Sequence, residues 1–167
     1  MLGSEMASNI LRMLTGTTSQ YNKGAEVFMG LFTSAPVMTV NASNIVTNID
    51  FSTYEPSIGT SGYQRERIGN YSVAFMSLFG STVYYSSASK YYYISNVAQI
   101  KFNKATGTWT ANGTSNITHY GLFNASTGGT ILAWGELTSA IQVAADQAAN
   151  IDIGQAELRV YAEVSAQ

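Results

Sequence analysis

The chain has 167 residues, a length that suits one domain with a sizeable core. It is 46% hydrophobic but only 11% charged, and a formal net charge of −2 offers no electrostatic reason to bind nucleic acid. Cysteine is absent, which excludes disulfide staples, thiolate zinc sites and cysteine nucleophiles together.

Polarity is carried by Ser, Thr, Asn, Gly and Tyr in place of charge. Interface cores are depleted of charge and rich in aromatics, so this balance predicts a protein that assembles with neighbours. No apolar run approaches the roughly 18 residues of a membrane-spanning helix. Glu5 precedes Arg12, the reverse of a signal peptide, and the expectation is synthesis in a cytoplasm without standard export. Asn-x-Ser/Thr triplets begin at Asn41, Asn70, Asn112, Asn116 and Asn124, as expected of a chain rich in those residues.

Residues 1–16 read as a short amphipathic helix, with Leu2, Met6, Ile10 and Leu14 on one stripe and Gly16 as its stop. Such a helix needs a surface to pack on, either the chain's own sheet or a partner. Residues 25–33 predict a strand that is apolar on both faces and is ended by Pro36. Residues 37–61 form a long polar excursion. Its Val40, Ile45, Val46, Ile49 and Phe51 predict packing on a neighbouring surface, with a short strand within it. Tyr63, Arg65 and Arg67 then fall on one face of an extended segment, with Gln64, Glu66 and Ile68 on the other.

Val73, Phe75, Ser77 and Phe79 alternate with Ala74, Met76 and Leu78, which predicts another strand buried on both sides. Tyr84, Tyr85, Tyr91, Tyr92 and Tyr93 flank a polar tip and read as a hairpin. Ala98, Ile100 and Phe102 alternate with polar residues, so one face there is wet. Residues 104–115 read as a loop carrying Trp109. Residues 117–137 form the best-defined hairpin: two apolar arms joined by Ser126, Thr127, Gly128 and Gly129, with Gly121 and Gly135 inside the arms as points of close approach. Residues 138–155 read as two short strands about a turn near Asp146 and Gln147, despite the helix-prone alanines. A last half-buried strand carries Leu158, Val160, Ala162 and Val164 inward. Gly30-Leu31-Phe32 echoes Gly121-Leu122-Phe123, as two strands packed alike would.

The single histidine, His119, reads as a hydrogen-bonded framework residue, because no orienting partner for a general base is signalled nearby. Nucleophile elbows, phosphate-cradling glycine loops and zinc helices are missing. Asp146, Asp152 and Glu157 could meet as a calcium site, but their spacing does not favour it. The tyrosines suit cross-strand pairing, a protein interface, or stacking of sugars.

Three pieces in order resemble a family of tailed-phage virion proteins labelled tail-fibre or minor structural proteins. They are Leu31-Phe32-Thr33-Ser34-Ala35-Pro36, Gly62-Tyr63-Gln64-Arg65, and the stretch from Ile117-Thr118-His119-Tyr120-Gly121-Leu122-Phe123 to Trp134-Gly135-Glu136-Leu137. The chain departs from that pattern at Ser61, where a second glycine is usual, and at Tyr120, where phenylalanine is. The resemblance implies a non-enzymatic structural component of a virion, made in a bacterial host and present in multiple copies. Capsid decoration or a head fibre is the alternative, and a carbohydrate-binding receptor module a further one.

The expected fold is all-β: a single antiparallel sandwich, jelly-roll-like or Ig-like, or a barrel, over residues 1–167, with the short N-terminal α-helix. Candidate contacts are Leu2, Met6, Ile10, Leu14, Ile45, Ile49, Phe51, Tyr84, Tyr85, Tyr91, Tyr92 and Tyr93. His119, Gly121, Gly128, Gly129, Trp134 and Gly135 are the expected hairpin framework. Expected partners are further copies of the chain and other virion proteins, with a host-surface glycan as an option. Neither nucleic acid nor membrane is expected, nor any cofactor, metal or catalytic residue.

Overall fold

The computed structural model describes residues 26–42, 46–70, 78–79, 82–88 and 91–161. The expected N-terminal helix with Leu2, Met6, Ile10 and Leu14, Ile45, most of the expected strand at 73–79, and Ala162 and Val164 lie outside these residues. The rest is all-β and antiparallel, with eleven strands among the described residues. Its main sheet has four strands in the order β4 (Glu66–Asn70), β1 (Glu26–Phe32), β8 (Ile117–Phe123) and β9 (Ile131–Ile141). Smaller sheets pair β10 (Ala148–Ile151) with β7 (Ile100–Lys104), and β11 (Glu157–Tyr161) with β6 (Tyr91–Ser95) and β5 (Tyr84–Ser86).

The excursion at 37–61 is more ordered than its composition suggests. It opens with a hairpin of β2 (Val37–Val40) and β3 (Val46–Asp50). Asp50 ends it by accepting hydrogen bonds from the Ser52 amide and hydroxyl and the Thr53 hydroxyl. Those bonds, the Ser52 contact first, hold the Asp50 carboxyl below its ordinary pKa.

The Gly-Leu-Phe echo has a direct structural meaning. The two copies are neighbours, with Gly30 opposite Gly121, Phe28 opposite Phe123, and Phe32 opposite His119. Each glycine leaves space for the phenylalanine of the other copy. A Cβ on Gly121 would stand 2.6 Å from Phe32, and one on Gly30 would stand 2.9 Å from Phe123. The two rings meet edge to face at 6.0 Å, and Phe51 closes on Phe123 at 4.9 Å. Burying each such ring contributes roughly 1.5–3 kcal/mol. Because strand side chains alternate, Met29, Leu31, Tyr120 and Leu122 point to the opposite face. There they join Ile94, Ile100, Phe102, Ile151 and Leu158 in one buried cluster with strands of the smaller sheets.

The first arm of the 117–137 hairpin is buried along most of its length, as its two-sided apolar pattern predicts. The second arm, β9, ends the order of the main sheet and is half-exposed along most of its length. The turn near Asp146 falls as expected, with Asp146 at φ 68°. However, the strands around it do not pair with each other: β10 pairs with β7, while β9 bridges to Ala156 through Leu137. Trp109 lies in a loop, yet it is fully buried. It donates to the Ser61 carbonyl at 2.9 Å and packs edge to face on Tyr63.

Candidate functional site

Tyr63 and Arg65 organise a buried polar cluster around Glu55. The Arg65 guanidinium makes two 2.8 Å bonds to the Glu55 carboxylate, one from Nε and one from Nη2. Its Nη1 donates to the carbonyls of Ala125 and Gly128, and so fastens the tip of the β8–β9 hairpin. The guanidinium carbon lies 3.4 Å from the centre of the Phe123 ring. Tyr63 donates to Glu55 and accepts from the Leu31 amide, so the cluster also grips β1. Burial, reinforced by the Glu55 charge, pushes the Tyr63 hydroxyl far above its ordinary pKa. Arg67 is exposed and pairs with Glu26, so the face shared by Tyr63, Arg65 and Arg67 does not survive as expected. The strand begins only at Glu66, after the chain has turned through Gly62. Phe51, expected at a contact between molecules, packs within the chain on this cluster.

The tyrosines pair across their hairpin. Tyr84 stacks on Tyr93 at 5.4 Å, Tyr85 meets Tyr92 at 4.9 Å, and Tyr91 meets Tyr93 edge to face. Tyr84 and Tyr85 remain 50% and 41% exposed, so pairing leaves a broad aromatic surface. Arg159 on β11 lies over Tyr91 and is held by Glu157 through two nitrogens.

A groove of about 610 Å³ runs along β9. His119, Ala133, Trp134, Gly135 and Glu136 line it, with Ala35, Ile49, Ile131, Leu132 and Arg159 completing the wall. Pairing of β8 with β9 sets His119 opposite Glu136 and Gly121 opposite Trp134, which puts these side chains on one face. His119 and Trp134 lie 6.1 Å apart between ring centres. Thr118 Oγ1 lies 3.1 Å from the Thr33 carbonyl and 2.8 Å from His119 Nδ1, and so holds the ring by its Nδ1 edge. Burial lowers the His119 pKa, partly opposed by Glu136, and keeps the ring neutral at neutral pH. Gly135 admits the backbone of Glu157, because a Cβ there would stand 2.7 Å from its carbonyl. Beneath it the fully buried Tyr120 hydroxyl has no hydrogen-bond partner among the described residues, and burial drives its pKa far up.

Three buried polar residues carry no signal in the sequence: Glu55, Asn96 and Gln155. Asn96 donates to the carbonyls of Ala98 and Asp152 and accepts from the Ala156 amide, tying β6 to the turn before β11. Gln155 accepts from the Asp152 amide and donates to Ser139. Each partner is distant in sequence or lies in irregular backbone, where periodicity gives no warning. The three carboxylates weighed as a cation site have separate partners: Lys104 for Asp146, Gln99 for Asp152 and Arg159 for Glu157. Among the described residues no group of three or more His, Asp or Glu side chains converges. No helix among them is long and apolar enough to cross a membrane.

The fold and these clusters define an antiparallel all-β protein whose buried polar groups serve as fasteners, with aromatic surface and a groove on its outside. The chain belongs to the family described as podophage GP4 fiber I protein gp80, whose sequence profile matches residues 3–159. It is thus a member of a phage fibre family and implied to be a virion component. No curated protein matches the chain.

Proposed function

We propose that this protein is a single-domain, non-enzymatic structural component of a phage fibre, working in multiple copies and in contact with other virion proteins. The observation that carries the reading is apolar exposure on two separate hairpins of a charge-poor chain. Val37 and Met38 are 49% and 52% exposed on one, and Tyr84 and Tyr85 stand out on the other. Tyrosine offers a large contact area at little entropic cost, as interface cores require. The non-enzymatic reading is supported by the structural duties of three titratable groups: Glu55 fixes Arg65, Arg65 holds the hairpin tip, and His119 Nδ1 is engaged by Thr118.

Sedimentation of the purified chain tests the reading. A defined oligomer is expected, and serine at both Tyr84 and Tyr85 should shift it toward monomer. A chain that stays monomeric at tens of micromolar overturns assembly through its own copies. Antibody labelling of intact particles separates the fibre placement from capsid decoration or a head fibre, since label confined to the capsid shell overturns the former.

A further inference from the structure

Consecutive residues of β9, from Ile131 through Glu136, line the groove without a gap. Side chains of a strand alternate between its two faces, so one face cannot present them all. The groove therefore runs along the outer edge of β9, where alternate backbone N–H and C=O groups point away from β8. β9 is the last strand of the main sheet. Among the described residues nothing pairs with this edge until Leu137 bridges to Ala156. β11 ends the order of its own sheet and leaves β9 from that bridge, with Arg159 on the groove wall. Edge strands normally carry lysine, proline or a bulge that discourages pairing. From Ile131 to Gly135 this edge has no charge and no proline, and from Ala133 to Glu136 its register with β8 is unbroken. It is an apolar, half-buried template for one more strand.

The β2–β3 hairpin has the complementary defect. It is a two-stranded sheet with no third strand among the described residues, and such a hairpin alone is marginal in water. Val37 and Met38 are neighbours on β2, so they point to opposite faces, yet both are exposed. A strand with one wet face would show an apolar residue on only one side. The chain is also free of charge from Val27 to Ile49, so nothing on this hairpin repels another backbone. β2 is four residues long, which matches the regular stretch from Ala133 to Glu136. The hairpin cannot fill the groove of its own chain, because Ile49, opposite Met38, already forms a wall of it. With Ala35 and Ile49 as walls the β9 edge is recessed, and a slender projecting hairpin reaches it where the flank of a whole domain does not.

We propose that β2 of one copy of this chain adds to the β9 edge of a second copy, extending its four-stranded sheet by one strand. Backbone hydrogen bonds supply the register, and the apolar groove covers one face of the incoming strand. The inference rests on the multi-copy reading above and supplies its contact: the exposed hairpin and the open edge are two halves of one interface. Hairpin and groove are different surfaces, so the contact is head-to-tail and is repeated around the assembly.

The natural absence of cysteine makes cross-linking of the full chain a clean test. Met38→Cys protein is mixed with Ala133→Cys or Trp134→Cys protein, allowed to exchange subunits and oxidised. Ala133 and Trp134 point to opposite faces, so one of the two suits Met38 whichever face it takes. A mixed disulfide is expected with at least one of them, and none with Val97→Cys, an exposed site elsewhere. In sedimentation, Val37→Lys combined with Met38→Lys should raise the dissociation constant about tenfold or more while leaving the melting temperature unchanged. Absence of both mixed disulfides, dominance of Ala133→Cys homodimers (two β9 edges pairing directly), or an unaltered dissociation constant in the lysine variant overturns the proposal. Wild-type oligomers that persist in those cases leave the multi-copy reading standing. A wild-type chain that is monomeric sinks both.

Discussion

Arg65 is 1% exposed and Glu55 6% exposed at their side chains, so neither charge can be shielded by water if the other is lost. Breaking a buried pair by removing one member costs about 3–5 kcal/mol, whereas removing both charges costs far less. Arg65→Met should therefore destabilise by about 3–5 kcal/mol in urea denaturation. Combining it with Glu55→Gln, which keeps an acceptor for Tyr63, should cost clearly less than the sum of the two single changes. Additive single and double variants would show that the pair is not coupled. Ser61 presents the opposite case, a local misfit. It sits at φ 52°, in the left-handed region that costs an ordinary residue roughly 1–2 kcal/mol. Its carbonyl is needed there, accepting from the Thr106 amide and the Trp109 indole. This chain bears that strain at the position where the family resemblance implies a second glycine. Ser61→Gly should stabilise by up to about 1 kcal/mol once the extra freedom of glycine in the unfolded chain is counted. A fall in melting temperature would contradict this.

At the level of strands, β1 and β8 are locked by reciprocal glycine–phenylalanine packing. Gly121→Ala would set a methyl 2.6 Å from Phe32, whose ring is boxed in by Phe51 and Phe123. Overpacking of this kind costs about 1–3 kcal/mol, and the expected readout is a lower urea midpoint with unchanged slope. The compensating change Phe32→Leu should recover part of that loss in Gly121→Ala while being destabilising alone. The echo that signals this pairing is legible in the sequence, because both glycines and both phenylalanines are local. So are the tyrosine hairpin, the 126–129 turn and the turn at Asp146. What could not be read is which strand goes beside which. Residues 138–155 show the reason: the break between strands is a local matter of turn residues. The choice of β7 over β9 as partner for β10 depends on contacts more than 40 residues away, Ala148 opposite Lys104 among them. Glu55 was invisible for the same reason. It lies ten positions before Arg65 in irregular backbone, where no period marks a residue as buried.

On the scale of the whole molecule, the groove shows how far a sequence can carry a site. His119, Trp134 and Gly135 stand out as hairpin framework, and strand pairing sets them on one edge. Arg159 joins them from a position that carries no sequence signal, and Ile49, expected at a contact, reaches the wall only because the excursion strand β3 folds back. The same geometry links the site to overall stability through pH. His119 is held below its ordinary pKa of 6.5, first by burial, so the folded chain binds its proton less readily than the unfolded chain. Stability from this residue is therefore fully present above pH 6.5 and is lost as the pH falls from there through the lowered folded value. The carboxylate facing it, Glu136, softens the effect without reversing its sign. Glu66 runs the other way: burial raises its pKa above 4.5, so its contribution is present below that value and fades as the pH rises through the folded one. Melting temperature should consequently climb between about pH 5 and pH 7, where an unperturbed imidazole titrates. His119→Gln should flatten that climb while leaving the response at more acid pH unchanged. An equal slope in wild type and His119→Gln would mean that this imidazole is not what links folding to protons in that window.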